Sequence, residues 1–159
     1  MDIAFRDLEP GDAGWVLDRH GALYARDEGY DATFEALVAE ILADFLRNRD
    51  PALARGWIAH AGEARLGCVF VVPAASGAAK LRLFLVDPAA RGQGLGARLL
   101  AQAMAWAKAQ GYATMELWTH ESHRAACALY ARSGWRMVRS EPARAFGVDV
   151  VDQFWEITL

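Results

Sequence analysis

Three glycines at alternate positions, Gly92, Gly94 and Gly96, stand between an apolar segment ending at Asp87-Pro88 and a long helical pattern. Glycine lowers helix propensity by about 1 kcal/mol relative to alanine, so another interaction should compensate for its presence at a helix start. Backbone N–H groups at a helix N-terminus bind anions, and the missing Cβ atoms allow a phosphate to approach closely. This segment therefore predicts a pyrophosphate site.

The segment differs from the two best-known phosphate-binding loops. A P-loop ends in Gly-Lys-Ser/Thr, whereas "GLGARLL" contains neither the lysine nor the hydroxyl. A dinucleotide-binding fingerprint places G-x-G-x-x-G directly after the first strand, whereas residues 87–91 separate the strand from the glycines here. A glycine turn without any ligand is the alternative interpretation.

Length and composition narrow the class of protein. A chain of 159 residues suits one domain, 1–159, with a sizeable core. A net charge of -3 without runs of like charge argues against nucleic acid, and no apolar run is long enough to span a membrane. The N-terminus lacks the features of a signal peptide, and Cys68 and Cys127 lack metal-ligand spacing and are predicted to be small buried residues. We therefore expect a cytoplasmic protein without a metal.

The elements that position the glycines alternate between strands and helices. Strands are predicted over residues 3–8, 55–61, 65–74, 77–88, 114–119, 135–140 and 148–159, and helices over 13–26, 33–48, 94–110 and 122–134. In the fourth strand, strict alternation places Leu81, Leu83 and Leu85 on one face and Arg82, Phe84 and Val86 on the other. This order predicts an α+β (mixed α/β) fold with helices packed on a mostly antiparallel sheet.

Two segments resemble the GCN5-related N-acetyltransferase (GNAT) family. Val86-Asp87-Pro88 followed by Arg91-x-x-Gly94-x-Gly96 is similar to its acyl-CoA signature, and "LWTHESHRAACALYARSGWRMV" is similar to its next strand, helix and A-x-x-x-Y-x-x-x-G-aromatic segment. The resemblance covers residues 80–139. It implies a sheet of about seven strands, splayed between strands 80–86 and 114–119 and flanked by about four helices. The first third also resembles acetyltransferase domains fused behind MarR-type regulators in bacteria, and we expect this chain to be the acetyltransferase domain alone.

The resemblance implies acetyl-CoA as co-substrate and no metal. The amides from Gly92 to Ala97 would hold the pyrophosphate, Arg91 would add charge beside it, and the strand before the loop would pair with the pantetheine arm. His123 stands where many relatives carry asparagine, seven residues before the family's tyrosine. The implied cofactor-binding set is Phe84, Leu85, Val86, Arg91, Gly92, Gln93, Gly94, Leu95, Gly96, Ala97, His123 and Tyr130.

The resemblance also implies Tyr130 as a catalytic acid. A phenol beside the sulfur would protonate or solvate the thiolate that forms when an amine attacks the thioester. The alternative is an amphipathic core tyrosine. The general base is open, because the strand before the glycine loop carries no carboxylate. Glu28 and Glu116 are the catalytic candidates, and Asp31 and His20 are further alternatives. Acids in such positions are more often solvated at the surface, and such a histidine is more often structural; a base acting through water, or none, is also open.

We therefore predict an acyl-CoA-dependent N-acetyltransferase that acetylates a primary amine by direct attack through a tetrahedral intermediate. Its partners would be acetyl-CoA and a small-molecule or peptide amine, not nucleic acid or a membrane. A non-catalytic acyl-CoA sensor and an interaction module whose glycine loop binds a different anion are the alternatives. The sequence does not specify the amine, the acyl chain or the oligomeric state, for which a homodimer is one option.

Overall fold

The computed structural model describes residues 2–159, which form one seven-stranded sheet flanked by four helices. The strands are β1 (Ala4–Arg6), β2 (Arg55–Ala61), β3 (Ala64–Pro73), β4 (Ala79–Val86), β5 (Thr114–His120), β6 (Arg136–Ala145) and β7 (Val148–Thr158). The helices are α1 (Asp12–Glu28), α2 (Ala32–Asn48), α3 (Leu95–Ala109) and α4 (Arg124–Arg132). The sheet order is β1-β2-β3-β4-β5-β7-β6, and all neighbours but one are antiparallel, which confirms the predicted fold class.

The helices divide between the two faces of the sheet. Apolar residues of α1 and α2, including Val16, Val38 and Phe45, pack with Phe70 in one core cluster. The apolar faces of α3 and α4 form the other cluster, which contains Leu99. These faces follow from helical spacing, because residues three and four apart lie on the same side of a helix.

Strand β6 is longer than its sequence pattern predicts. The prediction ended it at Ser140, whereas it continues through Pro142 to Ala145. The strand lies at the edge of the sheet, beside β7 only. A proline is tolerated there because the N–H group that it lacks has no partner strand to bind.

The parallel pair, β4 and β5, diverges almost at once. The two strands pair only at Ala79 with Met115 and Lys80 with Glu116. Beyond these positions β5 continues to pair with β7, and β4 with β3. We call the resulting gap between β4 and β5 the wedge; it confirms the predicted splay and leaves the β5-facing backbone of β4 without a strand partner.

A β-bulge in β4 makes the predicted alternation of its side chains wrong. The register with β3 shifts between the Phe70–Arg82 and Cys68–Leu85 pairs, and Leu83 has a left-handed backbone with φ of 50°. One extra residue in a strand reverses the faces of those that follow. Leu81 therefore packs with the α3 and α4 cluster, whereas Leu83 and Leu85 pack with the α1 and α2 cluster.

The same bulge separates Arg82 from Phe84 and Val86. Arg82 opposes Phe70, whose side chain belongs to the α1 and α2 cluster, and directly opposed residues share a face. Phe84 and Val86 pack on the other face, against the α3 and α4 cluster. Arg82 is thus on the opposite side of the sheet from the two residues with which strict alternation grouped it.

Candidate active site

The segment that leads to the glycine loop begins at Asp87, directly after the end of β4. The Asp87 carboxylate accepts a hydrogen bond from the Ala89 amide at 3.0 Å and caps a single 3-10 turn, Pro88–Ala90. Gly92 and Gly94 follow with φ of 75° and 76°, a left-handed conformation that glycine adopts without strain. Gly94 is the N-cap residue of α3, so the loop directs the first amides of that helix outward.

Space around the glycines is open. No atom lies within 4 Å of the position that a Cβ would take at Gly92 or Gly94. At Gly96, in the first turn of α3, a Cβ would lie 3.5 Å from Leu129 Cδ2, which is an ordinary contact. Internal packing therefore does not require a glycine at position 96, and the open backbone fits an anionic group that approaches it closely.

A cavity of about 590 Å³, which we call the large cavity, lies against this loop. It extends from the glycine loop along the end of β4 to the start of α4 and the end of α1. The predicted cofactor residues that line it are Phe84, Leu85, Val86, Arg91, Gly92, Gly94, Leu95, Gly96, Ala97 and His123. Gln93 is exposed beside it, and Tyr130 lines a second cavity.

The second cavity, which we call the small cavity, occupies about 150 Å³ in the wedge between β4 and β5. Helices α1 and α2 close one side of it and α4 the other. Aromatic rings form much of its wall: Phe34 lies 5.0 Å from Tyr24 and 5.1 Å from Tyr30 between ring centroids. Tyr24, Phe84 and His123 line both cavities, so the two are adjacent.

Tyr130 lies where β4, β7 and α4 meet. Its side chain is 4% exposed, and its ring is 6.3 Å from that of Phe84 and 5.8 Å from that of Trp135. Its hydroxyl has no hydrogen-bond partner within residues 2–159, although its side chain lines the small cavity. Burial raises the pKa of Tyr130 well above its usual range, so the hydroxyl stays protonated and available as a donor.

A hydrogen-bonded group of side chains connects the small cavity to β7. The Tyr30 hydroxyl is bonded to Nδ1 of His120 and lies 3.1 Å from Nε2 of His123. Nδ1 of His123 lies 3.1 Å from the Thr119 hydroxyl. Nε2 of His120 is buried 3.2 Å from Oδ1 of Asp152, without a well-aligned hydrogen bond.

The histidines of the small cavity are neutral near pH 7. Burial, with a further contribution from His120, lowers the pKa of His123 to about 4, and burial likewise lowers that of His20 to about 4. Nδ1 of His20 lies 2.8 Å from the carbonyl oxygen of Val16, and since a carbonyl only accepts, Nδ1 carries the hydrogen. Nε2 of His20 is then the acceptor nitrogen of the ring.

The acidic candidates occupy three different places. Glu28 lines the large cavity, and its Oε1 lies 3.7 Å from Nε2 of His123. Glu116 accepts a hydrogen bond from the Ser76 hydroxyl at 3.2 Å, at the closed end of the wedge, and lines neither cavity. Asp31 caps α2 by accepting from the Thr33 amide at 3.0 Å. Of these acids, the fold brings only Glu28 to the predicted acyl-CoA site.

Sequence reasoning missed several residues of the small cavity. Tyr30 and His120 meet although they are 90 positions apart, and no local pattern connects them. The spacing His120-x-x-His123 was a usable signal, because it joins the end of β5 to the N-cap of α4. A second usable signal was the pair Lys80 and Arg82, which are the only charged residues of β4.

Comparisons with known proteins agree with this geometry. The model of the Acetyltransferase (GNAT) family matches residues 18–135. A GNAT-family protein from Desulfovibrio desulfuricans has a similar structure, with a TM-score of 0.79, 18% identity and 99% of both chains covered. The GCN5-related N-acetyltransferase from Kribbella flavida gives a TM-score of 0.76 at 22% identity, covering 99% of this chain and 98% of its own.

A third structure contains the co-substrate. The yncA protein of Salmonella typhimurium, solved with its cofactor acetyl-CoA, gives a TM-score of 0.76 at 16% identity, covering 100% of this chain and 95% of its own. Identities this low establish similarity of fold alone. Comparison with curated protein sequences finds no match.

Two further features concern metals and membranes. Among residues 2–159, no three His, Cys, Asp or Glu side chains are grouped as a metal site would require. Within the same residues, no helix is both long and apolar enough to cross a membrane.

Proposed function

The chain belongs to the GNAT family of acetyltransferases, and on that premise we propose that it transfers an acetyl group from acetyl-CoA to a primary amine. The observation that carries this proposal is the wedge. It joins a cavity lined by an open glycine loop to a second cavity that contains a buried tyrosine without an internal hydrogen-bond partner. The acetyl-CoA bound to the Salmonella typhimurium relative supports the choice of co-substrate.

The proposed binding mode uses backbone more than side chains. The amides from Gly92 to Ala97, Gln93 and Leu95 included, would hold the pyrophosphate at the N-terminus of α3. The backbone of Phe84, Leu85 and Val86, which has no partner on its β5 side, would pair with the amide groups of the pantetheine arm. Arg91 is half exposed at the cavity rim, with Nη2 at 3.9 Å from Asp27, and can turn toward a phosphate.

Two groups of this chain would handle the protons. When bound, acetyl-CoA supplies a thioester: a C–N bond forms to its acetyl carbon, the C–S bond breaks, and the electron pair stays on sulfur. Tyr130 would donate its hydroxyl proton to that sulfur. Glu28, directly or through the adjacent His123, would accept the proton that the amine nitrogen loses. Exchange with solvent then returns a proton to Tyr130 and removes the proton that the base accepted, so each turnover ends in the starting protonation state.

We further propose that residues 1–159 form a single domain, that the protein is cytoplasmic, and that the chain is similar to acetyltransferase domains fused behind MarR-type regulators in bacteria. The proposed acceptor is a small-molecule or peptide amine. A homodimer is one option for the oligomeric state of the protein. Glu116 is the weaker base candidate, because its hydrogen bond to Ser76 holds it outside both cavities.

The test of this function measures acetyl-CoA binding by calorimetry and CoA release with a thiol reagent across a panel of amines. Gly94→Asp and Gly96→Asp should each weaken acetyl-CoA binding strongly, because a side chain and a negative charge would occupy the phosphate position. Gly62→Asp is the matched control. Gly62 also has positive φ, 58°, and open space around it, but it lies in the β2–β3 turn.

The outcomes separate the alternatives. If both loop variants fold and bind acetyl-CoA like the parent, the glycine loop is not a phosphate site. Tight acetyl-CoA binding, with no CoA released in the presence of any amine of the panel, would favour a sensor over an enzyme. Absence of acetyl-CoA binding in the parent would favour an interaction module.

A further inference from the structure

The small cavity is cationic. Among the described residues that line it, the only charged side chains are Lys80 and Arg82, both on β4, and no Asp or Glu is present. Its histidines are neutral near pH 7, as shown above for His20 and His123. A site that selects a plain cationic amine, such as a polyamine or a lysine side chain, would carry the opposite charge.

Among residues 2–159, neither cation has an ion-pair partner. Within the described chain, Lys80 and Arg82 form no ion pair at 4 Å or less, and Nε of Arg82 is buried without a hydrogen-bond partner. Burial lowers the pKa of both side chains, and the nearby carboxylates of Glu116 and Asp44 offset this only in part. An unpaired buried donor is costly, so an anionic ligand group would be stabilised there.

We propose that the acceptor amine also carries a carboxylate, which Arg82 and Lys80 bind, and that its apolar body packs on the aromatic wall of the small cavity. This inference rests on the acetyltransferase function proposed above and specifies its substrate class: an amino acid with an apolar or aromatic side chain. The planar guanidinium of arginine matches a carboxylate in a two-bonded geometry. A cavity of about 150 Å³ accommodates a ring the size of benzene.

The phosphates of CoA do not explain these cations. A strand rises about 3.3 Å per residue, so Arg82 lies about 13 Å from Val86, where β4 reaches the glycine loop. Glu28 lies beside His123, where the two cavities meet. An amino acid with its carboxylate at Arg82 and its nitrogen toward His123 would therefore span the small cavity. The positive charges would also lower the pKa of the bound amine and raise its reactive neutral fraction.

The experiment compares matched acceptors with saturating acetyl-CoA: phenylalanine against phenethylamine, and leucine against 3-methylbutylamine. The parent should give kcat/KM roughly 10- to 100-fold higher for the member with the carboxylate, the range for a hydrogen-bonded charge pair. Arg82→Gln should reduce this ratio at least tenfold, Lys80→Gln less, and Arg82→Lys least. Arg136→Gln is the control, because Arg136 is an exposed residue of β6 that pairs with Glu156.

A second readout does not depend on turnover. Calorimetry measures whether N-acetylphenylalanine binds the protein more tightly than N-acetylphenethylamine, and whether Arg82→Gln removes the difference; melting temperatures check that each variant is folded. Equal kcat/KM or equal affinity within each pair, or a preference that survives Arg82→Gln, would overturn the carboxylate site. If the protein prefers the carboxylate ligand in binding but releases no CoA with any acceptor, the acetyltransferase function would be refuted and the carboxylate site would stand.

Discussion

Replacing Tyr130 with phenylalanine tests the proposed chemistry at one oxygen atom. The side chain is 4% exposed, and its ring packs against those of Phe84, Trp135 and Trp155. Phenylalanine keeps all of these contacts. The hydroxyl has no partner within the part of the chain that the structure describes, so its removal leaves no unpaired group. We expect the free energy of unfolding to change by less than about 1 kcal/mol.

The expected loss appears in the rate instead. General acid catalysis contributes about 10²–10⁴-fold, and because a thiolate is already a tolerable leaving group we expect the low end. A kcat decrease of roughly 10- to 100-fold corresponds to about 1.4–2.7 kcal/mol of transition-state stabilisation. Acetyl-CoA affinity should be unchanged, because Tyr130 lines the small cavity and not the one against the glycine loop.

The assay combines steady-state CoA release with single-turnover quenched flow, which establishes whether chemistry limits the rate. Tyr112→Phe is the matched control: its hydroxyl donates to the Leu53 carbonyl oxygen at 2.7 Å, outside both cavities. The loss for Tyr130→Phe should shrink with thioesters of more acidic thiols, which need less protonation. A Tyr130→Phe enzyme that reacts at the parent rate in single turnover would make Tyr130 a core residue and water the proton source.

Two further predictions concern charge. Glu28→Gln should lower kcat, because glutamine cannot accept the proton of the amine. It should also raise KM for the amine about fivefold, the effect of about 1 kcal/mol from one partly exposed charge, and leave acetyl-CoA affinity unchanged. Glu63→Gln, in an exposed turn, is the control, and an unaltered kcat and KM for Glu28→Gln would return Glu28 to a surface role. Burial lowers the pKa of His20 and His123 from 6.5 to about 4, so the unfolded chain binds more protons than the folded one between these values. The free energy of unfolding should therefore fall as pH decreases from about 6.5 to 4, by up to about 1.4 kcal/mol per pH unit for each histidine. Urea titrations across this range check the slope, which His20→Gln should reduce; a flat profile would contradict the burial of neutral histidines.

Local sequence patterns were sufficient to predict the order of the strands and helices. The glycines of the loop, the apolar spacing of the helices and the turn residues each act over a few positions, and the observed strands and helices lie close to the predicted ones. Helices α3 and α4 each follow a strand, and both pack on the same face of the sheet. The glycine loop and Tyr130 therefore lie on the same side of the sheet. The resemblance to a known family supplied the splay, which no periodicity reveals.

The acceptor side depended on tertiary structure. A single extra residue near Leu83 placed Phe84 and Val86 on the face opposite to that of Arg82, which lies on the side covered by α1 and α2, and residue patterns do not show where a bulge occurs. The contact between Tyr30 and His120 joins the loop after α1 to the end of β5, across 90 positions. The charge of the small cavity follows from which side chains these long-range pairings bring together. Propensity and periodicity are local, whereas strand register and the divergence of β4 from β5 are set by the packing of the whole sheet.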